Sequence, residues 1–286
     1  MQPVSVIIPA YNEESGLGPV VKDLQATLKA AEIPHELLVI DDGSTDRTGE
    51  VAASLGATII QQPENMGYGA SLKRGIAAAA NEWILITDAD GTYTAKDVPT
   101  LLEHLACYHM VVGARQGQVY EGSFLKSCSR RLFRFLVEFT TGRKIPDVNS
   151  GLRAFRKGVV VQFYDILSNR FSFTTTITLA LMLNGYFVKY VPVEYRRRIG
   201  TSKIQFRDTL RAIQIIVQAI LYYNPIKLFL IPSAFLGAIA IFLLAAAVMA
   251  WNAVLLLAAV TNLTGAVIVF AIGLLADILR RGRLPK

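Results

Sequence analysis

The chain has 286 residues, 52% of them hydrophobic, with a formal net charge of +7 and only two cysteines, Cys107 and Cys128. That length holds one large globular domain plus an appendage, and two cysteines exclude a disulfide framework and agree with a reducing compartment. The charge is divided: residues 1–110 carry 6 Lys/Arg against 15 Asp/Glu, a net of −9, and residues 111–286 carry 23 against 7, a net of +16. An acidic half suits cations, and a basic half suits phosphates or anionic lipid headgroups.

From the amino terminus, short apolar runs alternate with amphipathic stretches. Val4–Ile8, Leu37–Ile40, Thr58–Ile60, Trp83–Ile86 and Met110–Val112 read as buried strands. Helical patterns lie between them near Gly18–Ala31, Asp46–Leu55, Gly69–Ala80 and Asp97–Leu105. This alternation predicts an α/β fold with a mostly parallel sheet covered on both faces. Ligands in such sheets bind beyond the carboxyl ends of the strands.

The unusual residues fall on that edge. Thr87-Asp88-Ala89-Asp90-Gly91 follows the fourth apolar run. Residues two apart on an extended chain point the same way, so Asp88 and Asp90 can face one ion, and carboxylate oxygens suit Mg²⁺ or Mn²⁺. Two acids in a loop are also a common solvated turn. Ile40-Asp41-Asp42-Gly43-Ser44-Thr45-Asp46 follows the second run. An acid there can accept a hydrogen bond from a ribose or base, and Ser44 or Thr45 can cap the next helix. Asn65-Met66-Gly67-Tyr68-Gly69-Ala70-Ser71 lets backbone approach a ligand. It fails as a dinucleotide fingerprint, because Leu72 stands at the third glycine position, and it lacks the lysine of a phosphate-binding loop. His35, His104 and His109 are scattered and suggest no histidine metal site.

Residues 123–141 mix Phe124, Phe133, Phe135 and Phe139 with Lys126, Arg130, Arg131 and Arg134, and Phe206–Tyr223 begins with two arginines and turns apolar. Both segments suit either a membrane interface or packing against the sheet. Asn224-Pro225 ends the second. From Leu228 to Ala276 there is no Asp, Glu, Lys, Arg or His in 49 consecutive residues. One bilayer crossing takes about 20 apolar residues, and Trp251-Asn252 divides the stretch into runs of 23 and 24 residues. A transmembrane hairpin is expected. Lys227 precedes it and Arg280, Arg281, Arg283 and Lys286 follow it, so both ends, and residues 1–226, are expected on the cytoplasmic side. The hairpin favours a membrane over nucleic acid as the partner of the basic half.

Taken together, Val6-Ile-Ile-Pro-Ala-Tyr-Asn-Glu-Glu, Asp-Asp-Gly-Ser-Thr-Asp, Asn-Met-Gly-Tyr-Gly-Ala and Asp-Ala-Asp resemble family-2 glycosyltransferases of GT-A fold. Asp147-Val-Asn-Ser-Gly-Leu-Arg-Ala-Phe-Arg and Arg198-Ile-Gly-Thr-Ser-Lys narrow the resemblance to dolichyl-phosphate mannose synthases and undecaprenyl-phosphate glycosyltransferases. It covers roughly residues 3–227, and that branch includes members with a two-helix anchor. The resemblance implies a GT-A catalytic domain over residues 1–204, an interfacial helix over 205–225, and a hairpin with a basic tail over 226–286. It implies nucleoside or donor contacts from Pro9, Tyr11, Glu13, Ile40 and Asp42, and Mg²⁺ or Mn²⁺ at Asp88 and Asp90. Arg115 is implied near the sugar or diphosphate. Arg130 or Arg131 and Arg198, with Ser202 and Lys203, are implied at the lipid phosphate or the donor's phosphates. Thr92 stands where some mannose synthases have Gln, and Phe173-Thr174-Thr175-Thr176 where many relatives have Glu.

The expected activity is transfer of a hexose from a UDP- or GDP-linked nucleotide-sugar to a polyprenyl phosphate, undecaprenyl or dolichyl, by metal-dependent inverting displacement. A phosphate monoester, with a second pKa of about 6, is largely dianionic at neutral pH and needs cations more than a base. Two rivals stand beside it. A glycosyltransferase acting on a hydroxyl lipid such as diacylglycerol or a sphingolipid would need a base, for which Asp147 is the candidate. A non-catalytic, membrane-tethered nucleotide-sugar binder or scaffold would need no paired carboxylates. The oligomeric state, a homo-oligomer included, is left open.

Overall fold

The structure, a computed structural model, describes residues 1–116, 134–135, 137–170, 172–196, 214, 217, 221 and 225–281. It divides into two units, Met1–Ile213 and Gln214–Lys286. Arg130, Arg131, Arg198, Ser202 and Lys203 lie outside the described residues, as do most of 123–141 and of Phe206–Tyr223.

The first unit is built on a seven-stranded sheet. Its first five strands are β1 (Val4–Ala10), β2 (His35–Asp41), β3 (Thr58–Gln61), β4 (Trp83–Ile86) and β5 (Met110–Gln116). The expected strands are all present; β4 has the expected bounds and the other four are one to four residues longer. The helices between them are α1 (Glu14–Ala30), α2 (Thr48–Ser54), α3 (Tyr68–Ala78) and α4 (Val98–Leu105). Four further elements carry no clear signal in the sequence: β6 (Arg153–Arg156), α5 (Lys157–Val161), α6 (Phe173–Leu183) and β7 (Val188–Glu194). The strand order is β3-β2-β1-β4-β6-β5-β7. β6 is inserted antiparallel between β4 and β5, and the other pairings are parallel.

Side-chain alternation along β1 explains the two-faced core. Val4, Val6 and Ile8 pack with Leu17, Val21, Leu24 and Leu28 of α1 and with Leu101, Leu102 and Leu105 of α4. Ile7 points the other way, toward Leu72 and Ile76 of α3 and Phe173, Ile177 and Leu181 of α6. Such burial on both faces is why the strands of a parallel sheet read as continuous apolar runs. Every residue of β1 and β4 is buried. The register pairs Ala10 with Asp41 and Ile7 with Ile86, so β1 and β2 end together, β4 ends at the level of Ile7, and the loops that follow all three share one edge.

The second unit contains α7 (Pro225–Ala250) and α8 (Ala253–Arg281), each long and apolar enough to cross a membrane. Trp251 and Asn252 join them, and Asn252 Oδ1 accepts from Val254 N at 2.9 Å to cap α8. Small side chains line their contact: Ala240, Ala247, Ala259 and Ala266 are buried, and Ser233 Oγ donates to Ala266 O at 2.9 Å. Large ones such as Phe235, Phe242 and Leu257 are more than half exposed. Close backbone approach through small residues, with bulky groups outward, is the pattern helices adopt in lipid.

Candidate active site

Three loops meet at the carboxyl edge of β1, β2 and β4. The first two are tied together by local hydrogen bonds. Asn12, in a left-handed conformation with φ 52°, donates its N–H to Ser44 Oγ at 3.0 Å, and its Oδ1 accepts from Thr45 N at 2.8 Å. Ser44 N donates to Asp41 Oδ1 at 2.9 Å, the turn typical of an Asx residue. Asp46, rather than Ser44 or Thr45, serves the start of α2: its carboxylate accepts from Thr48 N at 3.0 Å and, on the other oxygen, from Glu14 N at 3.2 Å. A carboxylate can bind two helix starts at once, which a hydroxyl facing Asn12 cannot.

Tyr11 and Glu13 are half-buried on this edge, and Glu13 N donates to Thr48 Oγ1 at 2.9 Å. Pro9 is buried and pairs in register with Ile40. The Ile40 side chain is wholly inside the core beside α3. Asp42 is 4% exposed, and its carboxylate already accepts from Gln62 Nε2 at 2.7 Å, Met66 N at 2.8 Å and Gly67 N at 2.9 Å. Much of its acceptor capacity therefore holds the third loop, a structural task with no local signal in the sequence.

Beyond β4, Asp88 is half-buried and Asp90 is 6% exposed. Thr92 donates to Asp90 Oδ1 through its hydroxyl at 2.6 Å and its N–H at 3.1 Å. The residue that departs from some mannose synthases thus orients the second carboxylate. Asp88 Oδ1 accepts from the Tyr68 hydroxyl at 3.0 Å. Burial, then the nearby Asp88 charge, push the Tyr68 phenol well above its usual range, so it stays a donor. Among the described residues no three His, Cys, Asp or Glu side chains gather as a metal cage. Asp88 and Asp90 supply carboxylate oxygens, the donor type by which Mg²⁺ is usually held together with substrate phosphates.

The far wall comes from β5, the loop before β6, and β7. Arg115 is bound to Asp147 through Nε–Oδ2 at 2.7 Å and Nη2–Oδ1 at 2.9 Å, a bidentate pair in which Asp147 is 2% exposed. Burial pushes the Asp147 carboxyl up, but the Arg115 bonds and charge outweigh it and hold the group below the usual range. A carboxylate so paired is a weak base, which argues against Asp147 as the base of a hydroxyl-lipid transferase. Arg115 also lies 5.3 Å from the Tyr195 ring centre, and Tyr195 makes an edge contact with Tyr93.

Tyr93 and Arg153 were not singled out by their sequence context, yet they organise this wall. The Tyr93 hydroxyl accepts from Gly151 N at 2.8 Å and lies 3.2 Å from Ser150 Oγ. Arg153 is fully buried; its guanidinium donates to Ser150 O at 2.7 Å, Val148 O at 2.6 Å and Thr178 Oγ1 at 2.7 Å. Its placement within Asp147–Arg156 was the available signal, but its partners on α6 are too distant in sequence to infer. Thr175 Oγ1 donates to Asn149 Oδ1 at 2.8 Å, so one of the threonines standing where many relatives have Glu braces the same turn with a neutral group.

A cavity of about 720 Å³ is at the opposite edge beside Trp83, Glu103 and Arg156, away from these loops.

Comparison with known proteins places this geometry in a family. The pattern named Glycosyl transferase family 2 matches residues 5–163. The chain is 30% identical over 205 residues to the dolichyl-phosphate hexose transferase of Haloferax volcanii, covering 70% of this chain and 86% of that one. It is 28% identical over 218 residues to an undecaprenyl-phosphate 4-deoxy-4-formamido-L-arabinose transferase of Pectobacterium carotovorum, covering 71% of this chain and 63% of that one. Among solved structures, glucosyl-3-phosphoglycerate synthase from Mycobacterium tuberculosis with Mn²⁺, uridine diphosphate and glucosyl-3-phosphoglycerate shares the fold, with TM-score 0.61, 19% identity, and coverage of 76% of this chain and 80% of that one. The sheet with its inserted antiparallel strand, the paired aspartates after β4 and these relatives agree: the chain belongs to glycosyl transferase family 2.

Proposed function

We propose that the protein transfers a hexose from a UDP- or GDP-linked nucleotide-sugar to a polyprenyl phosphate at a membrane. The observation that carries this reading is the pair Asp88 and Asp90 at the carboxyl edge of the sheet, on a chain that also has two membrane-length helices. The names of the relatives from Haloferax and Pectobacterium support the acceptor class.

Asp88 and Asp90 would hold a Mg²⁺ or Mn²⁺ ion, whose chemistry when bound is to neutralise charge on the donor diphosphate. Pro9, Tyr11, Glu13 and Asp42 would border the nucleoside, with Ile40 beneath them. Arg115, set by Asp147, would lie toward the sugar. Arg130, Arg131, Arg198, Ser202 and Lys203 would meet the acceptor phosphate or the donor's phosphates. An acceptor phosphate oxygen uses a lone pair to form a bond to the anomeric carbon. The bond from that carbon to the diphosphate oxygen breaks, its electron pair leaves with the diphosphate, and the configuration inverts. No proton need be removed from a phosphate dianion, so a base is not required. Fixed cations and amide dipoles stabilise the charge as it moves.

Residues 1–204 would form the catalytic domain, 205–225 an interfacial helix, and 226–286 the membrane hairpin, with both termini in the cytoplasm. The hydroxyl-lipid reading requires a base, and Asp147 is a poor one in its ion pair with Arg115. The test is a screen of UDP- and GDP-hexoses against polyprenyl phosphate in detergent, read by mass spectrometry of the lipid. One donor should yield a hexosyl phosphoryl lipid; no sugar-bearing lipid with any donor would overturn the proposal.

A further inference from the structure

We propose that Tyr68 is a positioning residue for Asp88, fixing the first carboxylate of the cation site, which the Gly151 backbone also confines. This rests on the metal-dependent reading above and adds to it a residue outside the aspartate pair.

The geometry begins at Asp42. Its carboxylate gathers the Met66 and Gly67 N–H groups, and Gln62 Nε2 locks it further by bonding both Asp42 Oδ1 and Ser71 Oγ. Gly67 has φ 101°, and a Cβ there would come within 2.9 Å of Asn169 O. The turn is therefore confined to glycine and pressed against the 168–170 segment. Tyr68 is the first residue of α3, so the clamped turn sets where its ring emerges. The hydroxyl then reaches 3.0 Å from Asp88 Oδ1.

Independently of Tyr68, a Cβ at Gly151 would run into the Asp88 carboxylate. That backbone cannot drift away, because Gly151 N is held by the Tyr93 hydroxyl and the preceding Ser150 carbonyl by Arg153. Asp88 is thus confined by a phenol and a glycine backbone, each anchored by buried hydrogen bonds. A carboxylate already oriented loses less rotamer freedom when it binds an ion, and removing such supporting bonds commonly weakens metal affinity about 10–100-fold.

The test compares full-length wild type with Tyr68→Phe in detergent, titrating Mn²⁺ and reading the free ion by electron paramagnetic resonance. The variant should bind Mn²⁺ about tenfold or more weakly. Once Mn²⁺ is saturating, its kcat should fall by less than about threefold, since the phenol touches no reacting atom. Wild-type-like Mn²⁺ affinity in the variant would overturn the role of Tyr68 while leaving the metal site intact. A wild-type protein that binds no Mn²⁺ would instead remove the metal site, and this inference with it. Should Tyr68→Phe fail to fold, Gly151→Ala presses on Asp88 independently of Tyr68. It should weaken Mn²⁺ by a comparable factor, and unchanged affinity there would overturn the confinement of Asp88.

Discussion

Replacing Asp147 with Asn should separate the structural from the chemical role of the Arg115 pair. The substitution keeps shape and one acceptor oxygen but removes the counter-charge from a guanidinium whose side chain is 16% exposed. Exposed ion pairs contribute about 0–1 kcal/mol, whereas severing a buried pair costs about 3–5 kcal/mol because a charge is left uncompensated. With one partner buried and the other touching solvent, about 2–3 kcal/mol is expected. For a domain of this size that is a fall in Tm of roughly 4–12 °C. The sign of the pH dependence follows from the depressed carboxyl of Asp147. Its contribution is complete above the unfolded value of about 3.9 and is lost as pH falls through the lower folded value. The gap between wild type and variant, measured by thermal unfolding in detergent, should therefore be full at pH 7 and shrink below about pH 4. Arg115→Met should be less harmful in the Asp147→Asn background than alone. An equal Tm in wild type and Asp147→Asn, a gap that ignores pH, or additivity within about 0.5 kcal/mol would refute the pairing argument.

Other outcomes follow from the same contacts. Asp90→Ala should abolish transfer while thermal unfolding remains cooperative, and turnover persisting in excess chelator would contradict the metal account. Arg153→Met should cost about 3 kcal/mol or more in chemical denaturation, since it leaves the Val148 and Ser150 carbonyls without their buried donor. Arg153→Lys should rescue little of this, because a single ammonium cannot match three fixed guanidinium bonds. Thr92→Val should weaken Mn²⁺ binding with less effect on Tm, as it removes the 2.6 Å hydroxyl bond that orients Asp90; unchanged Mn²⁺ affinity would show that the bond is incidental.

The elements visible in the sequence are those whose physics is local. β1, β2 and β4 are apolar runs followed by Pro9, Asp41 and Thr87-Asp88, and the hairpin is a long uncharged stretch divided by Trp251-Asn252. β6 escapes because Arg-Ala-Phe-Arg is short, and its arginines read as exposed although Arg153 is wholly buried. β7 contains Pro192 and forms the sheet's edge, where proline is tolerated but weakens the strand signal. α6 is rich in threonine, a residue favouring strands, and becomes a helix by burial against the sheet rather than by propensity.

The candidate site divides in the same way. Asp88 and Asp90 stand out because two acids two residues apart follow an apolar strand, although the chain turns at Ala89 and Asp90 instead of staying extended. Tyr68, Tyr93 and Arg153 have roles created by partners 20 to 58 residues away in the chain, and no local pattern expresses that. Asp42 is expected to contact a ligand, and its buried carboxylate also holds the neighbouring loop through Gln62, Met66 and Gly67, a task no local pattern announces.

The central claim is the phosphate on the acceptor lipid, and the linkage in the product tests it most directly. Purified full-length protein, polyprenyl phosphate and the active nucleotide-sugar should form a lipid from which mild acid releases the sugar, leaving the phosphorylated polyprenol detectable by mass spectrometry. An acid-stable glycoside, or transfer to diacylglycerol in preference to polyprenyl phosphate, would contradict the account.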